Sequence, residues 1–269
     1  MTLEEIQDEE TRLLVQFAEL CDRNDLRYYL AYGSALGAVR EHGPIPWDDD
    51  ADVAMPRPDY EKLLALAPCV NNCKILETQR EDYPWMFGKF VSLRTVFDEP
   101  GLVDPAEYGV YIDIFPLDGL PGRHAKMTFS LVRQGMKLYL YSYHMDASHA
   151  KHRSWKGCVK RIAGFFGRLV PREVLWRTLN GAATKHDFET SEYVGCYFSP
   201  YSYEKENMSR DCFEGFSTCT YDTAILKTFK DPESYLERIY GPRWQIPVKQ
   251  DNHIHGKAFW KDGGDDDCC

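Results

Sequence analysis

The sequence has no run of eighteen apolar residues, no compact Cys-x-x-Cys element and no excess of basic charge. Each absence removes a class of protein. The longest apolar candidate, residues 162–170, contains Arg168 and is too short to span a bilayer, which takes about 20 apolar residues. Residues 1–10 are acidic and polar, with no basic segment leading into an apolar run, so a secretory signal is not expected. Nine cysteines in 269 residues are too few and too scattered for a disulfide scaffold, and reduced cytosol is the default expectation. Zinc is disfavoured: Cys196, Cys212 and Cys219 with His253 and His255 could in principle bind it, but there is no compact Cys-x-x-Cys element, and Cys69 and Cys73 are a weak substitute. A net charge of -10 argues against general nucleic-acid binding, which needs an electropositive face. A serine nucleophile elbow, a P-loop and a dinucleotide fingerprint are also missing.

What is present is a chain at 43% hydrophobic and 28% charged, able to bury a large core. Helical spacing is expected over residues 3–22, then a strand at 28–32 running into Gly33-Ser34 and a short helix at 35–40. That order puts a hydroxyl and free backbone N–H groups at a helix N-terminus, a favourable place for phosphate. A strand from Asp50 to Met55 follows, with Asp50 and Asp52 on one face, and then a helix at 59–66. Further strands are expected at 73–78, 86–96 and 110–115, the last with Tyr111, Asp113 and Phe115 on one face. The chain then turns helical, at 127–145, 155–169 and 171–183. Short strands at 193–198 and 212–216 and a helix at 232–240 complete the reading.

The sharpest feature is four aspartates in five positions, Asp48, Asp49, Asp50 and Asp52. Carboxylates packed this closely repel unless solvated or held by a cation, and a hard divalent ion such as Mg2+, with Mn2+ as a substitute, removes the cost. Asp50 and Asp52 could bridge one or two such ions, and Asp113 on a neighbouring strand would complete the set. The bland alternatives are a solvated acidic loop and a structural Asp113. Lys89, Arg94 and Arg40 are candidate phosphate contacts. Five positions apart on a strand, Lys89 and Arg94 point to opposite faces, and Lys89 is preferred. His253 and His255 flank Ile254 and suit a substrate clamp or a metal contact. The segment 151–177 is strongly basic with Trp155, Phe165, Phe166 and Trp176 interleaved, which suits an anionic polymer, a membrane surface or a merely solvated helix pair.

Three runs in order resemble a known family: residues 31–40 (AYGSALGAVR), 43–53 (GPIPWDDDADV) and 111–118 (YIDIFPLD). They are similar to the LicD family of phosphorylcholine transferases, which includes the fukutin-related ribitol-phosphate transferases. The likeness is dense from about 29 to 121 and resumes weakly at 235–241, while Gly241-Pro242-Arg243-Trp244 departs from the expected ending. The resemblance implies an α+β, nucleotidyltransferase-like mixed sheet flanked by helices, with a largely helical substrate-binding insertion. The expected organisation is a catalytic core at 1–122, an acceptor-binding region at 123–262 and a disordered tail at 263–269. By the same resemblance Gly33 and Ser34 grip donor phosphates, Asp50 and Asp52 are the metal pair, and Asp113 is the third ligand and candidate base. The implied reaction is transfer of phosphocholine, or a related phospho-alcohol, from a CDP-linked donor such as CDP-choline to a glycan or lipid-linked saccharide hydroxyl, releasing CMP. Tyr83, Trp85, Tyr108 and Tyr111 are candidate partners for choline's cation. The implied setting is cytoplasmic, with peripheral contact at the inner membrane face open through the basic segment. Two rivals stand beside this reading: a nucleotidyltransferase moving a nucleoside monophosphate from a triphosphate, and a non-catalytic binding module.

Overall fold

The computed structural model describes residues 1–66, 69–70, 72–76, 83–98, 108–143, 170–248 and 256–261. The expected helix at 155–169, the histidines His253 and His255, and the tail at 263–269 lie outside the described residues.

Helix α1 (Leu3–Arg23) starts at Thr2, whose hydroxyl accepts from the Glu5 N–H while the Glu5 carboxylate accepts from the Thr2 N–H. This reciprocal cap satisfies two donors that a helix start leaves open. Ile6, Leu13, Leu14, Phe17 and Leu20 recur at helical spacing and are buried. Strand β1 (Tyr29–Leu30) is far shorter than expected, because the backbone leaves the sheet at Ala31 and α2 (Tyr32–Arg40) begins at once. Gly33 and Ser34 therefore lie inside the helix's first turn, not before it. After β2 (Ala51–Pro56) come α3 (Arg57–Ala65), β3 (Cys69–Val70), β4 (Cys73–Leu76), β5 (Gly88–Ser92), β6 (Thr95–Asp98) and β7 (Tyr111–Gly119).

The second half contributes α4 (Ala125–Tyr143), α5 (Arg172–Ala183), β8 (Tyr193–Gly195), the one-turn α6 (Tyr203–Glu206) and β9 (Met208–Ser209). It ends with the hairpin β10 (Ser217–Tyr221) and β11 (Ala224–Thr228), then α7 (Pro232–Tyr240) and β12 (Lys257–Trp260). Two expectations change here. The strand expected at 86–96 divides at Leu93-Arg94 into β5 and β6, and β6 leaves the main sheet to pair with β12. The strand expected at 212–216 gives way to a 3-10 turn (Arg210–Phe213), and the hairpin follows it.

The fold is α+β. Its main sheet is mixed, in the order β10-β11-β1-β2-β7-β5-β4-β3, with β8 and β9 attached through β7. β1 with β11 and β2 with β7 are parallel, and the remaining pairs are antiparallel. Helix α1 covers one face, Phe17 lying edge-on to Phe90 of β5 at 5.8 Å between ring centroids. The C-terminal hairpin extends the sheet of the N-terminal half through Leu30 and Thr228, and Tyr29 stacks on Phe229 at 5.1 Å. Below the site, Arg57 and Asp118 form a buried two-bond pair, each contact 2.7 Å. Its fork geometry ties the start of α3 to the end of β7.

Candidate active site

Three central strands set the functional side chains by register. The parallel pairing of β2 with β7 puts Asp52 opposite Asp113, and the antiparallel pairing of β5 with β7 puts Lys89 opposite Asp113. Side chains at paired positions share a face, so Asp52, Asp113 and Lys89 form one row across the sheet. Its neighbours along β7, Tyr111 and Phe115, face the same cavity. Val53, Ile112 and Ile114 are fully buried with the opposite parity. An aspartate among such residues is tolerated because Lys89 Nζ donates to Asp113 Oδ1 at 2.5 Å.

The cavity holds about 920 Å³. It receives Asp48, Asp50, Asp52, Asp113 and Lys89 from the sheet side and Gly33, Leu36 and Arg40 from α2. Those three helix positions are spaced i, i+3, i+7, one face of a helix, so α2 lies along the cavity for roughly 10 Å. The far wall comes from the second half of the chain, with Tyr201, Lys205, Tyr240, Arg243 and Trp244.

Local contacts explain the tight approach of α2. The Ser34 hydroxyl accepts from the Asp52 N–H at 2.7 Å, and Ser34 is buried rather than facing the cavity. A Cβ at Gly33 would lie 3.1 Å from Asp48 Oδ2, so a side chain there would press on the carboxylates. Gln7 of α1 holds the acidic loop by donating to the Ile45 and Asp48 carbonyls at 2.9 and 2.8 Å.

The electrostatics are strained by crowding. Burial raises the Asp52 carboxyl well above its usual range, the charges of Asp50, Asp113 and Asp48 raise it further, and Lys89 works against them. Glu10 on α1 is pushed well up by burial and then by Asp50, Asp49, Asp48 and Asp52. The donor set of Asp50, Asp52 and Asp113 is all oxygen, which fits a hard divalent cation and not a soft one. Among the described residues no three His, Cys, Asp or Glu side chains are already drawn around one point, so metal binding would require the carboxylates to adjust.

The candidate residues sort clearly. Gly33, Arg40, Asp50, Asp52, Lys89 and Asp113 line one cavity, and Ser34 supports it from behind. Asp50 precedes β2, whose first residue is Ala51. Arg40 donates to the Trp244 carbonyl at 3.2 Å and pairs with Glu41. Arg94 is directed elsewhere, 3.8 Å from Glu9 and over the Trp260 ring. Of the four expected aromatics, Trp85 and Tyr111 reach the cavity, whereas Tyr83 and Tyr108 are buried against each other. The Lys89 ammonium lies 3.3 Å from the Tyr111 centroid and 4.7 Å from that of Trp85. Sequence reasoning missed Tyr32, Tyr201, Tyr240 and Trp244, because no local pattern relates the end of the chain to α2. The departure at Gly241-Pro242-Arg243-Trp244 was the available signal, since two of its residues join the cavity wall.

Residues 25–144 match the family described as LicD/FKTN/FKRP, nucleotidyltransferase domain. Over 265 residues the chain is 25% identical to the lipopolysaccharide cholinephosphotransferase LicD of Haemophilus influenzae, covering 95% of this chain and 96% of that protein. Uncharacterised proteins of Rickettsia prowazekii and Rickettsia typhi share 37% and 40% identity over 57 residues, 21% of this chain in each case.

Proposed function

We propose, from the match of residues 25–144 to the LicD family domain, that this chain transfers phosphocholine, or a related phospho-alcohol, from a CDP-linked donor to a saccharide hydroxyl. The observation that carries the reading is the row Asp52–Asp113–Lys89 facing one cavity with Gly33 and Arg40. Likeness to a lipopolysaccharide cholinephosphotransferase along nearly the whole chain supports the choice of transferred group and of a glycan acceptor.

Asp50, Asp52 and Asp113 would hold a divalent cation, Mg2+ by the hardness of their oxygens. When bound, the cation neutralises phosphate charge and offsets the repulsion that raises Asp52. The acceptor oxygen attacks the phosphorus next to the alcohol, the bond from that phosphorus to the CMP oxygen breaks, and CMP leaves. The acceptor proton passes to a carboxylate, for which Asp113 is the candidate. Lys89, held in place by Asp113 and by the ring of Tyr111, supplies fixed positive charge beside the reacting phosphoryl group. Backbone N–H groups in the first turn of α2 and the Arg40 guanidinium add to it. The Lys89 ammonium already occupies the faces of Trp85 and Tyr111, so a choline cation is better accommodated toward the aspartates.

The test is CMP release from CDP-choline with Mg2+ and a panel of glycan acceptors, run beside Asp52→Asn. Acceptor-stimulated release that falls at least about 100-fold in the variant is expected. Pyrophosphate release from a nucleoside triphosphate, with no CMP from any CDP-alcohol, would replace this reading by nucleotidyl transfer. Full activity in the folded Asp52→Asn protein would reject the site.

A further inference from the structure

The residue that opens α2 is held by groups far from it in sequence. Tyr32 has φ +43°, in the left-handed region that residues other than glycine rarely adopt. Two hydrogen bonds from the second half of the chain hold it there. Its N–H donates to the Tyr235 hydroxyl at 3.1 Å, and its own hydroxyl donates to Glu206 Oε1 at 2.9 Å. Its ring meets Phe115 edge-on at 5.2 Å and stacks on Tyr201 at 5.1 Å, both of them cavity residues.

The two anchors are themselves fixed. Glu206, only 1% exposed, also accepts from the Ser199 hydroxyl, and its second oxygen accepts from the Cys196 N–H at 3.1 Å. Tyr235 is buried and stacks on Phe229 at 3.9 Å. A strained backbone persists where its surroundings over-determine it, and such residues cluster at functional sites. Here the strain lies one residue ahead of Gly33, whose Cβ position is 3.1 Å from the Asp48 carboxylate, and two ahead of Ser34, bonded to the Asp52 N–H. Any relaxation of Tyr32 shifts the start of α2 against the aspartates.

We propose that Glu206 and Tyr235 are positioning residues that act through Tyr32, setting the start of α2 against the carboxylates and thereby the grip on the donor's phosphates. This rests on the phosphoryl-transfer reading. Neither residue need touch substrate, and both lie outside the span 25–144 that matches the family.

The experiment uses the full chain with Tyr235→Phe, which removes one hydroxyl, and Glu206→Ala beside the conservative Glu206→Gln. Three quantities are measured: pyrophosphate binding by calorimetry with Mg2+, kcat and the donor and acceptor KM from CMP release, and melting temperature. Tyr235→Phe should raise both the pyrophosphate Kd and the donor KM about tenfold, the worth of one hydrogen bond. Acceptor KM should stay close to wild type, the melting temperature of Tyr235→Phe should fall by about 2–4 °C for the lost hydrogen bond, and Glu206→Gln should recover part of what Glu206→Ala loses. Unchanged pyrophosphate affinity and donor KM in folded Tyr235→Phe would overturn the proposal. So would a fall in apparent kcat alone, the mark of a merely structural role, or wild-type protein that binds no pyrophosphate. Weakened pyrophosphate binding in a protein that cleaves no CDP-alcohol would uphold the positioning role while rejecting the transfer reading.

Discussion

Glu10 lies on the buried side of α1, 2% exposed, where burial and four nearby aspartates raise its carboxyl well above the ordinary range. A group whose folded pKa exceeds its unfolded one contributes stability below the unfolded value and loses it as pH rises through the folded one. Replacing Glu10 by the uncharged Gln removes that loss. Glu10→Gln is therefore expected to melt about 2–4 °C above wild type at pH 8. The gap should close near pH 4, about where an unperturbed glutamate titrates. Thermal melts across that range check it, and a gap independent of pH would reject the electrostatic cause. The aspartates themselves stood out in the sequence because four fall in five positions. Glu10 did not, since a glutamate in an amphipathic helix carries no mark of what folds against it.

At the scale of elements, α2 is the piece on which the site depends, and its packing is closest at Gly37. A Cβ there would stand 2.4 Å from the Gly43 carbonyl, a backbone atom that cannot swing aside. Gly37→Ala should destabilise the protein by about 1–3 kcal/mol in chemical denaturation, the ordinary cost of overpacking. Gly181 in α5 is the control. Nothing lies within 4 Å of its Cβ position, so Gly181→Ala should stabilise by about 0.5–1 kcal/mol through helix propensity alone. Equal effects at the two sites would show that propensity and not packing decides both. Periodicity made α1, α4 and the first half of β7 legible, because each has a face of one character, while the strand expected to end at 115 continues through Pro116 to Gly119. It failed at β1, which is two residues long, and at the division of β5 from β6, where β12 takes the second strand as its own partner.

In the molecule as a whole, the family match ends at residue 144 while the sheet does not. Strand β11 pairs with β1, and Phe229 and Tyr235 pack on Tyr29 and Tyr32. A fragment of residues 25–144 would lose α1 from one face and β11 from the edge of β1, exposing apolar surface and an unpaired strand. Such a fragment is expected to show no cooperative unfolding and to aggregate, whereas the full chain melts in one transition. Circular dichroism melts and light scattering decide this, and a cooperative fragment would show that the C-terminal half is dispensable for folding.

The sequence by itself determined which residues are candidates for the chemistry. The aspartate run, the Gly-Ser pair and Asp113 within an apolar strand are local patterns whose meaning lies in charge density and residue type, and a strand's period of two fixes which side chains share a face. Only the tertiary structure decided that Asp52, Asp113 and Lys89 stand in one row, that Arg94 takes Glu9 as its partner, and that Glu206 and Tyr235 reach back across 174 and 203 residues to hold Tyr32. Pairing register and long-range hydrogen bonds depend on which strands become neighbours. That choice minimises exposed apolar surface over the whole chain and leaves no local trace in the residues it joins.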